Sequence, residues 1–519
     1  MHSLFRVAAR SACWMAVSVM AAGLAGCRSG GSGNAAPVQR DPLTVLRNPQ
    51  RPNRDREQAI DIAWAQALRS PEEKPTVRES FKDMIWSSSV NHDMRKKMYD
   101  YLASDPDEAG IEDTRKLTRL MLPREPSRAM VAVMSETAAA KGWKDCVPSL
   151  VRSYSRSVPT VQDEDRSERI ALLKLAPERP LVETVFQVFL HPPDEDPGSP
   201  AEFRERARAD AFDVLAKLDV SGEYRKRLLE DPALAAEDEA VGLMRRSLRE
   251  LKVVPISGDE LRWLQRLSSA KNPQNANWWR QSSALVLALP SEKAEGLHLR
   301  HVEALRVASA AYPELVAKSR TELLSDLKSL IAARKTVQRQ NEAQGTVRAA
   351  KEQVEVWESQ LSWGDLLTMH LLDRSIRQAE FTDRLFTYVG MDREDKTSEY
   401  GGVVTAIENV GDGRGAGADG KKVVPWLFPP RPSQRTNDQE FVASEEMFLS
   451  SDRGLAHFHF HVHRARNSDY AGPSGGDLDY AARSGRTCVV FTSIGSDELN
   501  VDYYQPDGVV IDLGNLTKK

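Results

Sequence analysis

Histidines at alternate positions are the residues of this sequence best suited to chemistry. Four of the ten histidines fall within seven residues, and they are His457, His459, His461 and His463. In a β-strand, residues two apart project from the same face and lie ~7 Å from each other, so a strand here places the imidazoles side by side. Two imidazole nitrogens can bind one zinc ion at ~2.0–2.1 Å. The spacing therefore predicts a metal site on one face of a β-sheet.

A catalytic zinc site needs a third protein ligand and one position left for water. Asp477 is the predicted third ligand, because it follows Ser474-Gly475-Gly476 at the start of a predicted helix. Upstream, Glu399 opens a predicted strand that runs on through Tyr400-Gly401-Gly402-Val403-Val404. A carboxylate beside a metal-bound water is suited to general-base catalysis, so we expect Glu399 to face the metal site.

The strands and helices that carry these residues are predicted from hydrophobic periodicity and from the glycine and proline residues that interrupt it. Strand patterns occupy residues 398–407, 454–463, 487–493, 500–504 and 509–513, and residues 477–484 have a helical pattern. Residues 411–420 are predicted to be a flexible loop, and residues 425–432 are a Pro-rich stretch in which no strand is predicted. The C-terminal region is therefore predicted to be an α+β domain.

The ordered set of these residues resembles the JAMM motif of the MPN-fold metallopeptidases. The motif consists of a glutamate before a Gly-Gly strand, His-x-His ending a second strand and Ser-x-x-Asp opening a helix, here Glu399, His461, His463, Ser474 and Asp477. The resemblance covers residues 375–519 and implies an MPN-like, cytidine-deaminase-like fold. It implies zinc held by His461, His463 and Asp477, with Glu399 as the general base and Ser474 as a hydrogen-bond donor to the oxyanion. The implied reaction is hydrolysis of a peptide or isopeptide bond.

The sequence departs from the family pattern at several points. Arg464 follows the second histidine where the family usually has a proline, and Val462 stands between the histidines where a small polar residue is usual. The loop before Asp477 is longer than the common spacing, which leaves Asp469 and Asp479 as alternative third ligands. The extra histidines, His457 and His459, are predicted to support the ligands through hydrogen bonds, to serve as alternative ligands or simply to pack in the strand.

The N-terminus has the pattern of a bacterial lipoprotein signal peptide. Arg6 and Arg10 precede an apolar run that ends in Leu24-Ala25-Gly26-Cys27, where the cysteine is the expected site of lipidation. We therefore expect a signal peptide over residues 1–27 and a flexible tether over residues 28–54. The mature protein is then a membrane-anchored lipoprotein of the cell envelope, on its periplasmic or extracytoplasmic side.

Residues 55–308 have helical periodicity with short breaks, as in Met130, Val133 and Met134 after the possible capping residue Ser127. The predicted helix pairs resemble HEAT repeats, so we expect an α-solenoid, with an irregular helical bundle as the alternative. Such a region provides a docking surface for a protein partner or serves as a spacer. Residues 309–374 are predicted to be charged linking helices. Trp278 and Trp279 are expected to anchor a core.

Composition limits the function. The net charge of −4 over 519 residues argues against nucleic-acid binding, which requires a basic excess. Cys146 and Cys488 are expected to be buried and unpaired. The leading hypothesis is a membrane-anchored zinc metallopeptidase or isopeptidase that acts on protein or peptide substrates, recruited by the helical region. The alternatives are a non-catalytic, protein-binding scaffold lipoprotein with a degenerate MPN-like domain, and a histidine strand that buffers metal ions.

Overall fold

The computed structural model describes residues 41–87, 89–158, 161–193, 202–219, 221–234, 236–269, 272–337, 352–408, 421–435 and 441–518. The predicted signal peptide, Cys27 and the tether up to residue 40 lie outside the described residues, as does the predicted loop at 411–420. The chain divides into two compact units, with the boundary between Leu218 and Asp219. This boundary falls inside the region that the sequence predicts to be helical repeats.

The described residues of the first unit form helices joined by turns and loops. Its helices are α1 Pro42–Arg47, α2 Asn53–Arg69, α3 Lys74–Trp86, α4 His92–Ala103, α5 Glu108–Met121, α6 Arg128–Lys141, α7 Val147–Tyr154, α8 Ser167–Leu175, α9 Leu181–Leu190 and α10 Glu202–Leu218. Ser127 caps α6 as predicted, since its Oγ accepts a hydrogen bond from the Met130 N–H at 3.4 Å. Gly142 ends the same helix with φ +67°, a left-handed conformation that favours glycine.

A buried carboxylate ties together several segments of the first unit. Glu168 at the start of α8 is fully buried and accepts hydrogen bonds from Arg128 at 2.6 Å, Arg166 at 3.0 Å and Ser153 at 2.9 Å. Burial alone would raise the pKa of Glu168, but the two guanidinium groups lower it to about 2. The carboxylate therefore stays ionised at neutral pH and links α6, α7 and α8.

The second unit joins helices to a sheet. Its helices are α11 Glu223–Glu230, α12 Glu239–Leu251, α13 Gly258–Ser268, α14 Pro273–Leu287, α15 Ser291–Ala294, α16 Leu299–Ala311, α17 Pro313–Ala317, α18 Arg320–Ala332, α19 Val354–Trp357, α20 Trp363–Ile376, α21 Ala379–Glu394, α22 Glu445–Ser450 and α23 Gly475–Ser484. Its strands are β1 Gly401–Glu408, β2 Lys421–Leu427, β3 Gly454–His461, β4 Cys488–Gly495, β5 Glu498–Tyr504 and β6 Val510–Thr517.

The six strands form one mixed sheet in the order β2-β1-β3-β4-β5-β6. Strands β3 and β4 are parallel and are connected through α23, whereas the other neighbouring pairs are antiparallel. Gly401 of β1 lies opposite His459 of β3, which in turn lies opposite Val490 of β4. The predicted order of a helical region followed by an α+β region is thus confirmed.

Strand β2 was missed by the sequence analysis, because Pro425 lies inside it. Proline lacks the N–H of a ladder hydrogen bond and is tolerated mainly on edge strands. Strand β2 is the edge of the sheet, and its Pro425 carbonyl lies 3.4 Å from the Tyr388 hydroxyl of α21. The proline is therefore compatible with the strand.

One face of the sheet shares its core with helices from well upstream. Phe458 and Phe460 of β3 and Phe491 of β4 belong to the same buried cluster as residues of α16 and α20. Helix α20 lies in the range predicted to be charged linking helices, yet it is almost completely buried. Its Asp365 is paired with Arg300 at 2.9 Å and His301 at 2.8 Å, so its charge is neutralised inside the core. Trp278 and Trp279 are buried in the same cluster, as predicted.

Candidate metal site

The opposite face of β3 carries the histidines. Strand β3 ends at His461, so His457, His459 and His461 alternate with Phe458 and Phe460 as the period of the strand requires. The two phenylalanines enter the core, which places the three imidazoles on the side of the sheet that contacts α23. The predicted alternation is correct for three of the four histidines.

A cluster of potential metal ligands forms on this face. Glu399, His459 and His461 each offer one ligand atom, and these atoms all lie within 4.8 Å of one another. The Nε2 atoms of His459 and His461 are 3.2 Å apart. Two nitrogens bound tetrahedrally to one zinc at ~2.0–2.1 Å would be about 3.3–3.4 Å apart, so the observed spacing fits a shared ion. Glu399 lies two residues before Gly401, where β1 begins, so the strand starts slightly later than the sequence predicted.

Asp477 brings a fourth ligand group to the cluster from α23. Its carboxylate oxygens lie 3.3 Å from Nε2 of His459 and 3.8 Å from Nε2 of His461. Ser474 is the N-cap residue of α23, and its N–H donates to Asp477 Oδ2 at 2.6 Å while the Asp477 N–H donates to Ser474 Oγ at 3.3 Å. Burial would raise the pKa of Asp477, but the two imidazoles and the Ser474 N–H hold it well below its usual range. The carboxylate is therefore available in its ionised, ligating form.

Both imidazoles are oriented by contacts of their Nδ1 atoms, the nitrogens that do not face the proposed ion. His461 Nδ1 lies 2.9 Å from the carbonyl oxygen of Tyr470, so its N–H donates there. His459 Nδ1 lies 3.5 Å from the Tyr504 hydroxyl, and the ring of Phe441 stacks on the His459 ring at 5.8 Å. Histidines that bind metals usually hold the ring in this way, leaving the second nitrogen for the ion. Tyr470, Tyr504 and Phe441 gave no signal in the sequence, since each is distant from the histidines or lies in a loop.

His463 lies outside this cluster. The chain bends after His461, where the Asn467 N–H donates to the Ser493 carbonyl at 2.7 Å and Asn467 Nδ2 donates to the His461 carbonyl at 3.1 Å. The His463 ring instead contacts Tyr470 at 5.7 Å, and its Nδ1 lies 3.3 Å from Asn467 Nδ2. The pair that the structure brings together is thus His459 and His461, one step earlier in the strand than the resemblance implied. The two alternatives to Asp477, Asp469 and Asp479, are exposed.

The Gly-Gly pair of the motif permits close approach of neighbouring segments. A Cβ on Gly402 would lie 2.0 Å from the carbonyl oxygen of Trp426 in β2. A Cβ on Gly401 would lie 2.5 Å from the ring of Phe441, the same ring that stacks on His459. Both glycines are therefore required for the packing that surrounds the site.

Comparison of the chain with models of known protein families, with curated proteins and with solved structures finds no match. A search of the described residues for helices with the length and apolar character needed to cross a bilayer finds none. Cys146 and Cys488 are buried and form no disulfide, as expected.

Proposed function

We propose that this protein is a zinc-dependent hydrolase of amide bonds in proteins or peptides, with a JAMM/MPN-type metallopeptidase or isopeptidase domain at its C-terminus. The observation that carries the proposal is the convergence of two imidazole nitrogens 3.2 Å apart with the buried carboxylates of Glu399 and Asp477. These groups come from β3, the start of β1 and the start of α23. Their order along the chain is that of the motif.

The donor set suits zinc. His459, His461 and Asp477 supply two nitrogens and one carboxylate, the number of protein ligands that leaves one position of a tetrahedral ion for water. When bound, zinc acts as a Lewis acid that lowers the pKa of a coordinated water from ~15.7 to about 7. Asp477 is fixed by its reciprocal hydrogen bonds with Ser474, so this ligand is held in place by the helix terminus.

Glu399 has the position of the general base. Glu399 is 8% exposed, and its carboxylate offers an oxygen within 4.8 Å of the ligating nitrogens, close enough to reach a water held between them. In the proposed reaction Glu399 takes the proton of the attacking water and delivers it to the leaving amine. The Ser474 Oγ accepts a hydrogen bond from the Asp477 N–H, and its own O–H has no acceptor among the described residues, so it can be donated to the developing oxyanion.

The proposed setting is the cell envelope. The lipoprotein pattern ending at Cys27 would anchor the mature chain to a membrane through its lipid. The first unit, which we propose is built from HEAT-like helix pairs, would recruit a protein substrate to the C-terminal site.

Peptide-library cleavage by the metal-loaded protein tests this function. The expected result is cleavage that Glu399→Gln abolishes while zinc stays bound, because His459, His461 and Asp477 are the proposed ligands and Glu399 is the proposed proton acceptor. Asp479→Asn, which alters an exposed carboxylate on α23, is the matched control and should retain activity. Bound zinc without cleavage, or cleavage indifferent to Glu399→Gln, would overturn the proposal in favour of a binding scaffold.

A further inference from the structure

A second contact joins the two elements that carry the ligands. His457 Nδ1 on β3 lies 2.6 Å from the hydroxyl of Tyr480 on α23. His457 precedes the ligand His459 by two residues and projects from the same strand face. Tyr480 follows the ligand Asp477 by three residues and therefore lies one turn along the same side of the helix. The hydrogen bond thus runs beside the 3.3 Å approach of His459 to Asp477.

We propose that His457 and Tyr480 are positioning residues that set the separation between the histidine ligands on β3 and the aspartate ligand on α23. This inference rests on the proposed metal site. Neither residue touches the ion or the substrate; each acts through the ligand next to it on its own element.

The apolar contacts between helix α23 and the sheet do not by themselves set this separation. Apart from the approach of Asp477 to the histidines, helix α23 packs on the sheet through Ala481, Leu478 and Tyr480, which lie against Cys488, Val490, Tyr504 and Val510. Apolar packing is not directional, so by itself it allows the helix to slide along the strands. A hydrogen bond between two aromatic side chains fixes the position of the helix along the strand, because its strength falls steeply with distance and angle.

The polar character of His457 is not explained by packing. The side chain is 3% exposed, and its Nε2 has no hydrogen-bond partner among the described residues. Phe448 contacts the rings of both His457 and Tyr480 at about the same distance, 6.0 and 6.1 Å between centroids. An apolar side chain would fill this space without burying an unpaired nitrogen, so the imidazole is accounted for by its bond to Tyr480.

The test measures the zinc dissociation constant by competition with a chromogenic chelator. Tyr480→Phe and His457→Phe are each expected to weaken zinc binding by about 10–100-fold, as loss of a contact that orients ligands does elsewhere. The zinc dissociation constant of the double variant should lie within about twofold of that of either single variant, because both substitutions remove the same hydrogen bond. His457→Gln, which keeps a group able to bond Tyr480, should bind more tightly than His457→Phe.

Tyr503→Phe is the matched control. Tyr503 is a fully buried tyrosine of β5 on the opposite face of the sheet, and its hydroxyl donates to Gln505 at 2.6 Å. The zinc affinity of the Tyr503→Phe variant should equal that of the wild type. The visible spectrum of the cobalt-substituted protein should change in Tyr480→Phe and not in Tyr503→Phe, since only the former alters the geometry of the ligands.

The outcomes separate the two proposals. A wild-type protein that binds no zinc defeats the proposed function. A wild-type protein that binds zinc, with Tyr480→Phe matching Tyr503→Phe in affinity and cobalt spectrum, overturns the positioning role alone. A loss limited to the unfolding temperature of the metal-free protein overturns it as well.

Discussion

His459 and His461 present their Nε2 atoms to each other at 3.2 Å, although both rings are anchored from behind by other groups. Two neutral imidazoles at this distance can share one proton as a hydrogen bond, or both can offer lone pairs to a cation. The ionised carboxylate of Asp477 beside them favours a cation, because it adds a negative charge in a buried place.

Zinc should stabilise the protein through Asp477. A ligand that binds only the folded state adds ~4 kcal/mol to the free energy of unfolding when present at about a thousand times its dissociation constant. Calorimetry should therefore show a zinc-dependent rise in unfolding temperature that a chelator reverses. Asp477→Asn should remove most of the rise, whereas Asp479→Asn should keep it. An equal rise in both variants would place the ion elsewhere.

Gly402→Ala should destabilise the protein and disturb the site. The added methyl group would lie 2.0 Å from the Trp426 carbonyl, so β1 and β2 must separate. Overpacking of this kind costs ~1–3 kcal/mol, measurable by urea denaturation. Gly390→Ala is the control, because a Cβ on this α21 residue meets no atom within 4 Å and alanine favours helix. If Gly402→Ala leaves the free energy of unfolding unchanged, the close approach of β1 to β2 at Gly402 would be contradicted.

Glu260 should make the second unit less stable as the pH rises. Burial raises the pKa of this α13 carboxyl to about 7, although the Ile256 N–H and the arginines Arg300 and Arg486 act to lower it. Between the ordinary glutamate pKa of ~4.3 and about 7, the folded state holds more protons than the unfolded state, so the free energy of unfolding falls with rising pH. Glu260→Gln removes this term. The stability of this variant relative to the wild type should increase by up to about 4 kcal/mol between pH 4 and 8, at ~1.36 kcal/mol per pH unit.

Urea denaturation at several pH values provides the measurement for Glu260. A difference between variant and wild type that does not change with pH would contradict the assigned protonation. Glu260 Oε1 is buried without a hydrogen-bond partner in the described structure, so the substitution removes the titration without breaking a hydrogen bond to this atom.

Glu168 in the first unit should show the opposite dependence. Its pKa is lowered to about 2 by Arg128 and Arg166 against the effect of burial, so the folded state holds fewer protons than the unfolded state above that pH. The stability that it contributes is present above the ordinary pKa and is lost as the pH falls from ~4.3 through about 2. Glu168→Gln should cost ~3–5 kcal/mol at pH 7, since it leaves buried guanidinium charge unpaired. The cost should shrink on acidification; a cost independent of pH would contradict the pairing.

Much of the local structure around the site could be predicted, because it depends on residues near one another in sequence. The alternation of β3, the Ser474 cap of α23 and the glycine-rich start of β1 follow from short patterns. The convergence of Glu399, His461 and Asp477 was expected from the order of these patterns.

The remaining features depend on contacts between distant parts of the chain. Whether His459 or His463 accompanies His461 is decided by where β3 ends, and this depends on the bond from Asn467 to Ser493 in β4. Periodicity does not encode that bond. Strand β2 is compatible with Pro425 only as the edge of the sheet, and the burial of α20 depends on the helices that pack against it, chiefly α16 and α18.

Metal analysis of the chain from residue 28 onwards tests the central claim most directly. We predict about one zinc per chain in the wild type and in His463→Ala, and almost none in His459→Ala, His461→Ala or Asp477→Ala. A wild type without zinc, or a His463→Ala variant that loses the ion while His459→Ala keeps it, would contradict the account.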